Sequence, residues 1–448
     1  MTSLVYLLGV LAVVALIGLS IALHELGHLV PAKRFGVRCT KYMIGFGPTV
    51  WSRVRGDTEY GIKAIPLGGY VKMIGMIPPR PGDAPGQLRS TTTGRMSIVE
   101  QARADSMDEI EPGDEDRVFY KLPVHKKIIV MLGGPFMNLA LAVVLLTVLV
   151  SGIGLPTTVP KLGSVAQCVP SAAPTVAKPQ PECAVGDAAP PSVAAGLRAG
   201  DRIVEVNGTP VTLWSEVTTK IRAAAGQTMT LTVERTGERL TVSAPIVGVE
   251  RAAYTAEGKV RLNPDGTVLT ERVGFLGATA TADYVALPVT EVPMVFGRLV
   301  STVASALGTF PEKLVGVAKT LAGQADRDPE GPVSVVGIGR VGGEIATGAV
   351  ASDGPKGMIY QFIWLVLGLN LMLFFFNLLP VLPLDGGQVV GAVWEGIKRT
   401  WARVTGRPDP GYVDVAKGLP IAYAVSILLI GMTLMLAVAD LVKPISLG

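Results

Sequence analysis

The sequence predicts a polytopic α-helical membrane protein of about four transmembrane helices, with a membrane-associated β-hairpin and an extracytoplasmic α+β domain. Three observations predict this class. The 448 residues are 49% hydrophobic and only 17% charged, with mean hydropathy +0.45, which lies on the apolar side of soluble chains. Four runs without a charge, residues 4–23, 128–155, 358–384 and 419–439, are each long enough to cross a hydrocarbon core of ~30 Å. Between the second and third runs, residues 156–357 carry the short strands and Gly, Pro and Asn turns of a folded soluble part.

The first run ends in IALHELGHLVPAKRFG. His24 and His28 stand four residues apart, so a helix projects both from one face, with Glu25 beside them. Two imidazoles at that spacing suit Zn²⁺, and the glutamate suits a general base. Ionisable groups at membrane depth are costly and mark function, and two of the three histidines in the chain are here. A chance HExxH on an exposed helix is the bland alternative, and its place at the end of an apolar span weighs against it. The first run has no basic segment before it and carries the motif, so it is read as retained rather than cleaved as a signal peptide.

Orientation follows from Lys and Arg near the span ends. Lys33, Arg34, Arg38 and Lys41 follow span one, Lys121, Lys126 and Lys127 precede span two, and Lys398, Arg399, Arg403, Arg407 and Lys417 lie between spans three and four. Those segments are therefore expected on the cytoplasmic side, and both termini outside. This bias accounts for the net charge of +4 without a nucleic-acid partner. Cys168 and Cys183 then fall outside, where a disulfide persists, and Cys39 falls on the reducing side as a free thiol.

From residue 39 to 76 the chain reads as a β-hairpin, strands 42–51 and 59–73 around Arg55-Gly56-Asp57, with Gly45, Gly47, Gly68 and Gly69 permitting bends or close approach. Ile65 and Tyr70 lie on its second strand. An isolated hairpin is marginal in water, so it is expected to lean on the membrane domain. Residues 77–127 read as a cytoplasmic loop, Pro-, Gly- and acid-rich as far as 116. Span two opens MLGGPFMNLALA, where Gly133, Gly134 and Pro135 allow close helix approach and Asn138 seeks a partner across an interface; packing and a supporting site role both fit Asn138. His125, among lysines, reads as interfacial.

Residues 192–247 run short helix, AGD turn, strand, NG turn, helix and two strands. This stretch resembles a PDZ domain, a fold that binds extended peptide by strand addition; the domain is taken as 159–272, with a Pro/Ala-rich insert at 170–191. A linker with an amphipathic helix or pair broken at Pro311 spans 273–357. Span three ends NLLPVLPLDGGQ. Pro380 and Pro383 cannot continue a regular helix, Gly386 follows the first charge, and Asp385 lands level with the histidines. Two His and one carboxylate leave zinc an open position, the catalytic arrangement. Residues 389–418 read as a cytoplasmic loop before span four, 419–442.

HELGH, the GFGP…TEYGIKAIPLGGYVKM hairpin, GGPFMN, the PDZ-like stretch and NLLPVLPLDGG resemble, in order, the site-2 protease family of intramembrane zinc metalloproteases, in its bacterial branch that cuts anti-sigma factors and signal-peptide remnants. The resemblance implies one zinc per chain on His24, His28 and Asp385, and Glu25 as the catalytic glutamate. Asn377 matches a substrate-contacting asparagine, and the hairpin, with Gly68, Gly69, Tyr70 and Ile65, a re-entrant substrate contact. It implies single-span substrates trimmed outside beforehand, a bacterial inner membrane, and a peptide or substrate tail as a PDZ partner. A single PDZ and the long insert depart from some members. An inactive membrane-tethered PDZ adaptor is the alternative, opposed by Glu25; a zinc-transport role is opposed by the lack of other His or Cys in the spans.

Overall fold

The computed structural model describes residues 2–79, 97–176, 178–179, 182–255, 260–349 and 354–445. Residues 80–96 of the loop expected at 77–127 lie outside the described residues. In chain order the elements are α1 Thr2–Arg34, β1 Cys39–Arg55, β2 Thr58–Met73, α2 Ile98–Asp108, α3 Val124–Thr147, β3 Leu155–Val165, α4 Pro191–Ala194, β4 Arg202–Val206, β5 Thr209–Pro210, α5 Trp214–Ala223, β6 Thr228–Arg235, β7 Glu238–Pro245, β8 Val247–Ala252, β9 Thr270–Phe275, β10 Ala278–Val285, α6 Val292–Leu321, α7 Val335–Ala346, α8 Gly354–Asn377, α9 Asp385–Val404 and α10 Leu419–Val442. They divide into two compact units, one of residues 1–152 and 288–448 and one of residues 153–287.

The first unit is helical. Among the described residues five stretches, centred on α1, α3, α6, α8 and α10, are long and apolar enough to cross a membrane. Four were expected, with α6 taken as a surface helix or pair broken at Pro311. Instead α6 runs unbroken through Pro311 for 30 residues. The proline removes one backbone donor, while the apolar residues around it keep the helix continuous. Arg298, Glu312, Lys313 and Lys319 interrupt its apolar run, and it joins the other four stretches by length and composition alone.

α1 and α3 cross at glycines. A Cβ on Gly27 would lie 2.2 Å from the Gly133 carbonyl oxygen, and one on Gly133 would lie 1.9 Å from that of Gly27. Only glycine permits this backbone approach. α7 meets the first half of α1 in the same way, since a Cβ on Gly342 would meet Val13, and one on Gly9 the Gly342 carbonyl. Asn370 of α8 donates to Ser20 Oγ of α1 at 2.9 Å and to the Val366 carbonyl at 2.8 Å. Both residues are buried, where a polar group needs a partner.

The expected hairpin is more than a pair of strands. Tyr42 pairs with both Val71 and Tyr60, and Ile44 with both Gly69 and Ile62, while residues 49–55 pair with residues 58–63. β1 and β2 each bend and return, giving four short runs in one sheet. The bends fall at Gly45, Gly47 and Gly68, all at positive φ (90°, 85° and 100°), a conformation that glycine adopts without steric cost. The loop expected at 389–418 is also corrected: its first half continues α9 from Asp385 to Val404. The spacing of its apolar residues suits a helix, and its charges hid it from a search for spans. Within the 77–127 loop α2 forms, capped by Ser97 Oγ accepting from the Glu100 amide; Arg103 reaches both carboxylate oxygens of Asp414 at 2.5 Å.

The second unit holds one sheet in the order β10-β3-β4-β6-β7, with β5 beside β4 and a separate β8–β9 pair. It extends past 272, because β10 pairs antiparallel with β3. α5 packs Val217 and Ile221 into a core with Ile203, Leu231, Val233 and Leu276. Cys168 and Cys183 are disulfide-bonded, Cα–Cα 5.8 Å. Cys39, in the other unit, is free, and burial pushes its thiol up to about 11.

The buried Asp201 carboxylate accepts Arg235 Nε and Nη2, both at 2.7 Å, and the Arg198 amide at 2.8 Å. The Arg235 bonds hold its pKa below the usual carboxylate value. The stability it contributes is therefore full above the unfolded value of about 3.9 and is lost as pH falls through the lower folded value. Arg235→Leu leaves this carboxylate with the Arg198 amide as its remaining partner and should destabilise the second unit. Hydrogen exchange on the full-length protein should show it as faster exchange in β4 and β6 with α1 and α3 unchanged; equal protection in β4 and β6 would refute it.

Candidate metal centre

The site is built at the end of α1. His24 and His28, one turn apart, face the start of α9. His24 Nε2 lies 3.3 Å and His28 Nε2 3.4 Å from Asp385 Oδ2, and the two Nε2 atoms are 3.2 Å apart. Among the described residues this is the one cluster of three His, Cys, Asp or Glu that could hold a metal ion. The remaining nitrogens are committed. His28 Nδ1 sits 2.8 Å from the Val130 carbonyl, and His24 Nδ1 3.0 Å from Asn138 Nδ2. The carbonyl can only accept, so His28 carries its proton on Nδ1 and turns a bare Nε2 inward. His24 offers a bare Nε2 only with its proton on Nδ1 as well, so the Asn138 amide is assigned with its O and N exchanged, and Oδ1, otherwise without a hydrogen-bond partner, accepts from His24 Nδ1.

Two features fit this cluster to a cation. Asp385 Oδ2 is buried with no hydrogen-bond partner, an expensive state for a carboxylate oxygen unless a cation completes it. Gly134 leaves the space free: a Cβ there would come within 2.2 Å of His28 Nε2 and 2.7 Å of His24 Nε2. Nitrogen and carboxylate donors with no thiolate suit Zn²⁺ with an open position.

Asp385 is delivered by a broken segment. α8 stops at Asn377, and the chain turns through Pro380 and a cis Leu382–Pro383 bond before α9 begins. Gly386 lets the turn fold back, since a Cβ there would lie 2.3 Å from the Leu379 carbonyl oxygen and 2.5 Å from that of Leu378. α9 is held on α3 by a buried ion pair. Lys127 Nζ reaches both Glu395 oxygens, at 2.9 and 2.8 Å, and the Val413 amide donates to Glu395 at 3.2 Å. Lys127, Val130, Gly134 and Asn138 share one face of α3, so the residues that fix α9 and those that hold the histidines form a single seam.

Glu25 faces the sheet. Gly69 packs so close that a Cβ there would lie 2.9 Å from Glu25 Cγ, and the Glu25 carboxylate meets the Val71 backbone amide. Tyr42 donates its hydroxyl to the Ala22 carbonyl of α1 at 2.7 Å, fixing the sheet to the helix that carries the histidines. Among the described residues, 69–73 pair with β1 on one edge only, and Tyr70 stacks on Phe46. A Cβ on Gly68 would strike the same Phe46 ring. Ile65 lies elsewhere, opposite Phe46 and half exposed. Asn377 ends α8 half-buried, and no hydrogen bond among the described residues joins it to the cluster.

Sequence reasoning did not supply the Val130 carbonyl, the Ser20–Asn370 pair, the role of Gly134 against the imidazoles or the Lys127–Glu395 pair. Ser20 and Asn370 stood as polar residues in apolar runs, a signal that could have been read. A backbone carbonyl leaves no mark in a sequence.

Residues 12–407 match the profile of peptidase family M50. The chain belongs to that family. It is 32% identical over 449 residues to the zinc metalloprotease Rip1 of Mycobacterium tuberculosis, with 99% of both chains covered, and 30% identical to Rip1 of Mycolicibacterium smegmatis, with 98% of both covered. It is 25% identical to the regulator of sigma-W protease RasP of Bacillus subtilis, over 87% of this chain and 90% of that protein. This M50 member is a zinc metalloprotease with membrane-inserted helices.

Replacing Gly134 by alanine should displace both imidazoles and cut zinc content severalfold, as read by metal analysis of purified protein with unchanged helical circular dichroism. Asn138→Leu removes the acceptor for His24 Nδ1–H and should weaken zinc affinity about 10–100-fold in competition with a chelator. Unaltered affinity in both variants would exclude the arrangement described.

Proposed function

We propose that the protein hydrolyses peptide bonds inside the transmembrane segments of single-span proteins, with His24, His28 and Asp385 as zinc ligands and Glu25 as general base. The observation that carries this reading is the meeting of two imidazoles and an unpartnered carboxylate oxygen, with Glu25 alongside, at the junction of α1, α3 and α9. When bound there, zinc supplies Lewis acidity and draws down the pKa of water. Glu25 takes the proton from the attacking water and hands it to the departing amide nitrogen.

A helical substrate hides its carbonyls in its own hydrogen bonds. The open edge of residues 69–73, beside Glu25, suits an unwound substrate that adds as a strand, with Gly69 and Tyr70 presenting backbone groups. Asn377, at the end of α8, would hold a further backbone group of the same substrate. The unpaired strand edge supports this reading because it stands where the base is.

The second unit we read as a PDZ domain with an insert closed by Cys168–Cys183. The succession of α4, β4, β5, α5, β6 and β7 supports it. Inserted in the chain between α3 and α6, it would screen substrates so that only those trimmed outside are cut. The Lys and Arg bias supports both termini outside and the metal centre near the cytoplasmic face. The relative named as the regulator of sigma-W protease supports membrane proteins that govern a sigma factor, such as anti-sigma factors, as the substrate class.

Glu25→Gln should keep near-stoichiometric zinc and lose cleavage of a single-span reporter by at least about 10²-fold. Asp385→Ala should lose both zinc and cleavage. Turnover by Glu25→Gln near the wild-type rate, or full zinc in Asp385→Ala, would overturn the assigned roles.

A further inference from the structure

α9 buries one face and leaves another bare. Val390, Val393, Trp394, Ile397, Trp401 and Val404 recur at spacings of three, four and seven, which places them on one stripe, and each is exposed, from 43% at Val393 to 79% at Val404. The opposite face carries Ala392, Glu395 and Ala402, all buried, and is held by Lys127. The bare stripe is therefore not the side that packs on the protein.

Three observations say what covers it. First, the stripe continues into surface that faces lipid. Val124 and Ile128 of α3 join Val393, Ile397, Trp401 and Val404 around an apolar crevice of about 510 Å³. Ile128 also lines a second apolar crevice, of about 500 Å³, with Leu26, Val30 and Phe136 of the membrane-crossing helices α1 and α3. One apolar wall thus runs from the span surfaces onto α9. Second, the exposed stripe carries two tryptophans, the residues that favour the boundary between hydrocarbon and headgroups. Third, Lys398 flanks the stripe, and Arg403 and Arg407 stand at its end. None of the three forms an ion pair among the described residues, whereas Arg399, turned inward, pairs with Glu395. Glu395, Lys398, Arg399 and Arg403 make α9 too charged to cross the bilayer, and its length and composition suit a helix lying in the interface.

We infer that α9 is a membrane-surface helix, its apolar stripe seated on acyl chains and Lys398, Arg403 and Arg407 set among anionic phospholipid headgroups. Since its first residue is Asp385, one end of the helix reads the membrane surface and the other completes the metal cluster. The inference rests on the membrane-inserted character of the chain and not on the roles assigned to Glu25 and the ligands.

The test uses the full-length protein in nanodiscs of mixed phosphatidylglycerol and phosphatidylcholine. The emission of Trp394 and Trp401 is taken as the difference from a Trp394→Phe/Trp401→Phe variant, so the other tryptophans cancel. Lipids brominated near the carbonyl end of the acyl chain should quench that difference severalfold more than lipids brominated near the methyl end, and aqueous iodide should quench it little. At equal mole fraction brominated phosphatidylglycerol should quench more than brominated phosphatidylcholine, and Lys398→Gln/Arg403→Gln/Arg407→Gln should abolish that preference. Quenching by iodide and not by bromine would overturn the seat. So would protection from both, the outcome if a second copy of the chain covers the stripe. Equal quenching by the two lipids would overturn the anionic part. Zinc content, measured alongside, reports the metal cluster separately and is not expected to change in the Trp→Phe variant.

Discussion

The contact on which the rest depends is the approach of α1 and α3 at Gly27 and Gly133. A transmembrane segment has no water to satisfy its polar groups, so two histidines on α1 need protein partners at fixed distance. Only with the helix backbones nearly touching can α3 present the Val130 carbonyl to His28 and the Asn138 amide to His24. A methyl group at either glycine would meet backbone rather than a side chain that could swing aside. The glycines thus govern the metal cluster without touching it.

α3 then serves as the reference against which the other helices are set. Through Lys127 and Glu395 it holds α9, whose first residue is Asp385, and α8 is pinned to α1 by Asn370 and Ser20. Charges buried this deeply cost desolvation energy that their mutual attraction barely offsets. Such a pair selects one register of α9 along α3 over its neighbours, and an apolar contact would discriminate less. The four-run sheet is fixed from the other side, through Tyr42 on Ala22 and Gly69 against α1, so Glu25, the His24–His28–Asp385 cluster and the strand edge converge on one junction.

Much of this was legible in the residues. HELGH at the end of an apolar run and an aspartate closing a later one are sparse signals in a background of uncharged residues, so each stands out. The Cys168–Cys183 pair is close enough in sequence for spacing and compartment to suggest it. What escaped notice did so for definite reasons. β1 and β2 read as a simple hairpin because alternation of residue types marks strands and is silent on whether a strand has one partner or two; Gly45, Gly47 and Gly68 showed only that bends were possible. α9 read as a loop because its charges defeat a search for spans, although its apolar residues keep helical spacing. α6 read as broken because Pro311 stands within it, a proline that a 30-residue helix accommodates.

The sequence by itself determined the family, the zinc chemistry and the His and Asp residues that the structure gathers into one cluster, because those depend on residue type and short-range spacing along one helix face. The tertiary structure decided which groups hold those residues in place. Lys127 and Glu395 are 268 residues apart, and the Val130 carbonyl is a backbone atom that every residue type shares, so neither could be read before the helices were packed. Local pattern sets which side chains are available, and the dry interior, where each polar atom must find a partner across a helix contact, decides where they come to rest.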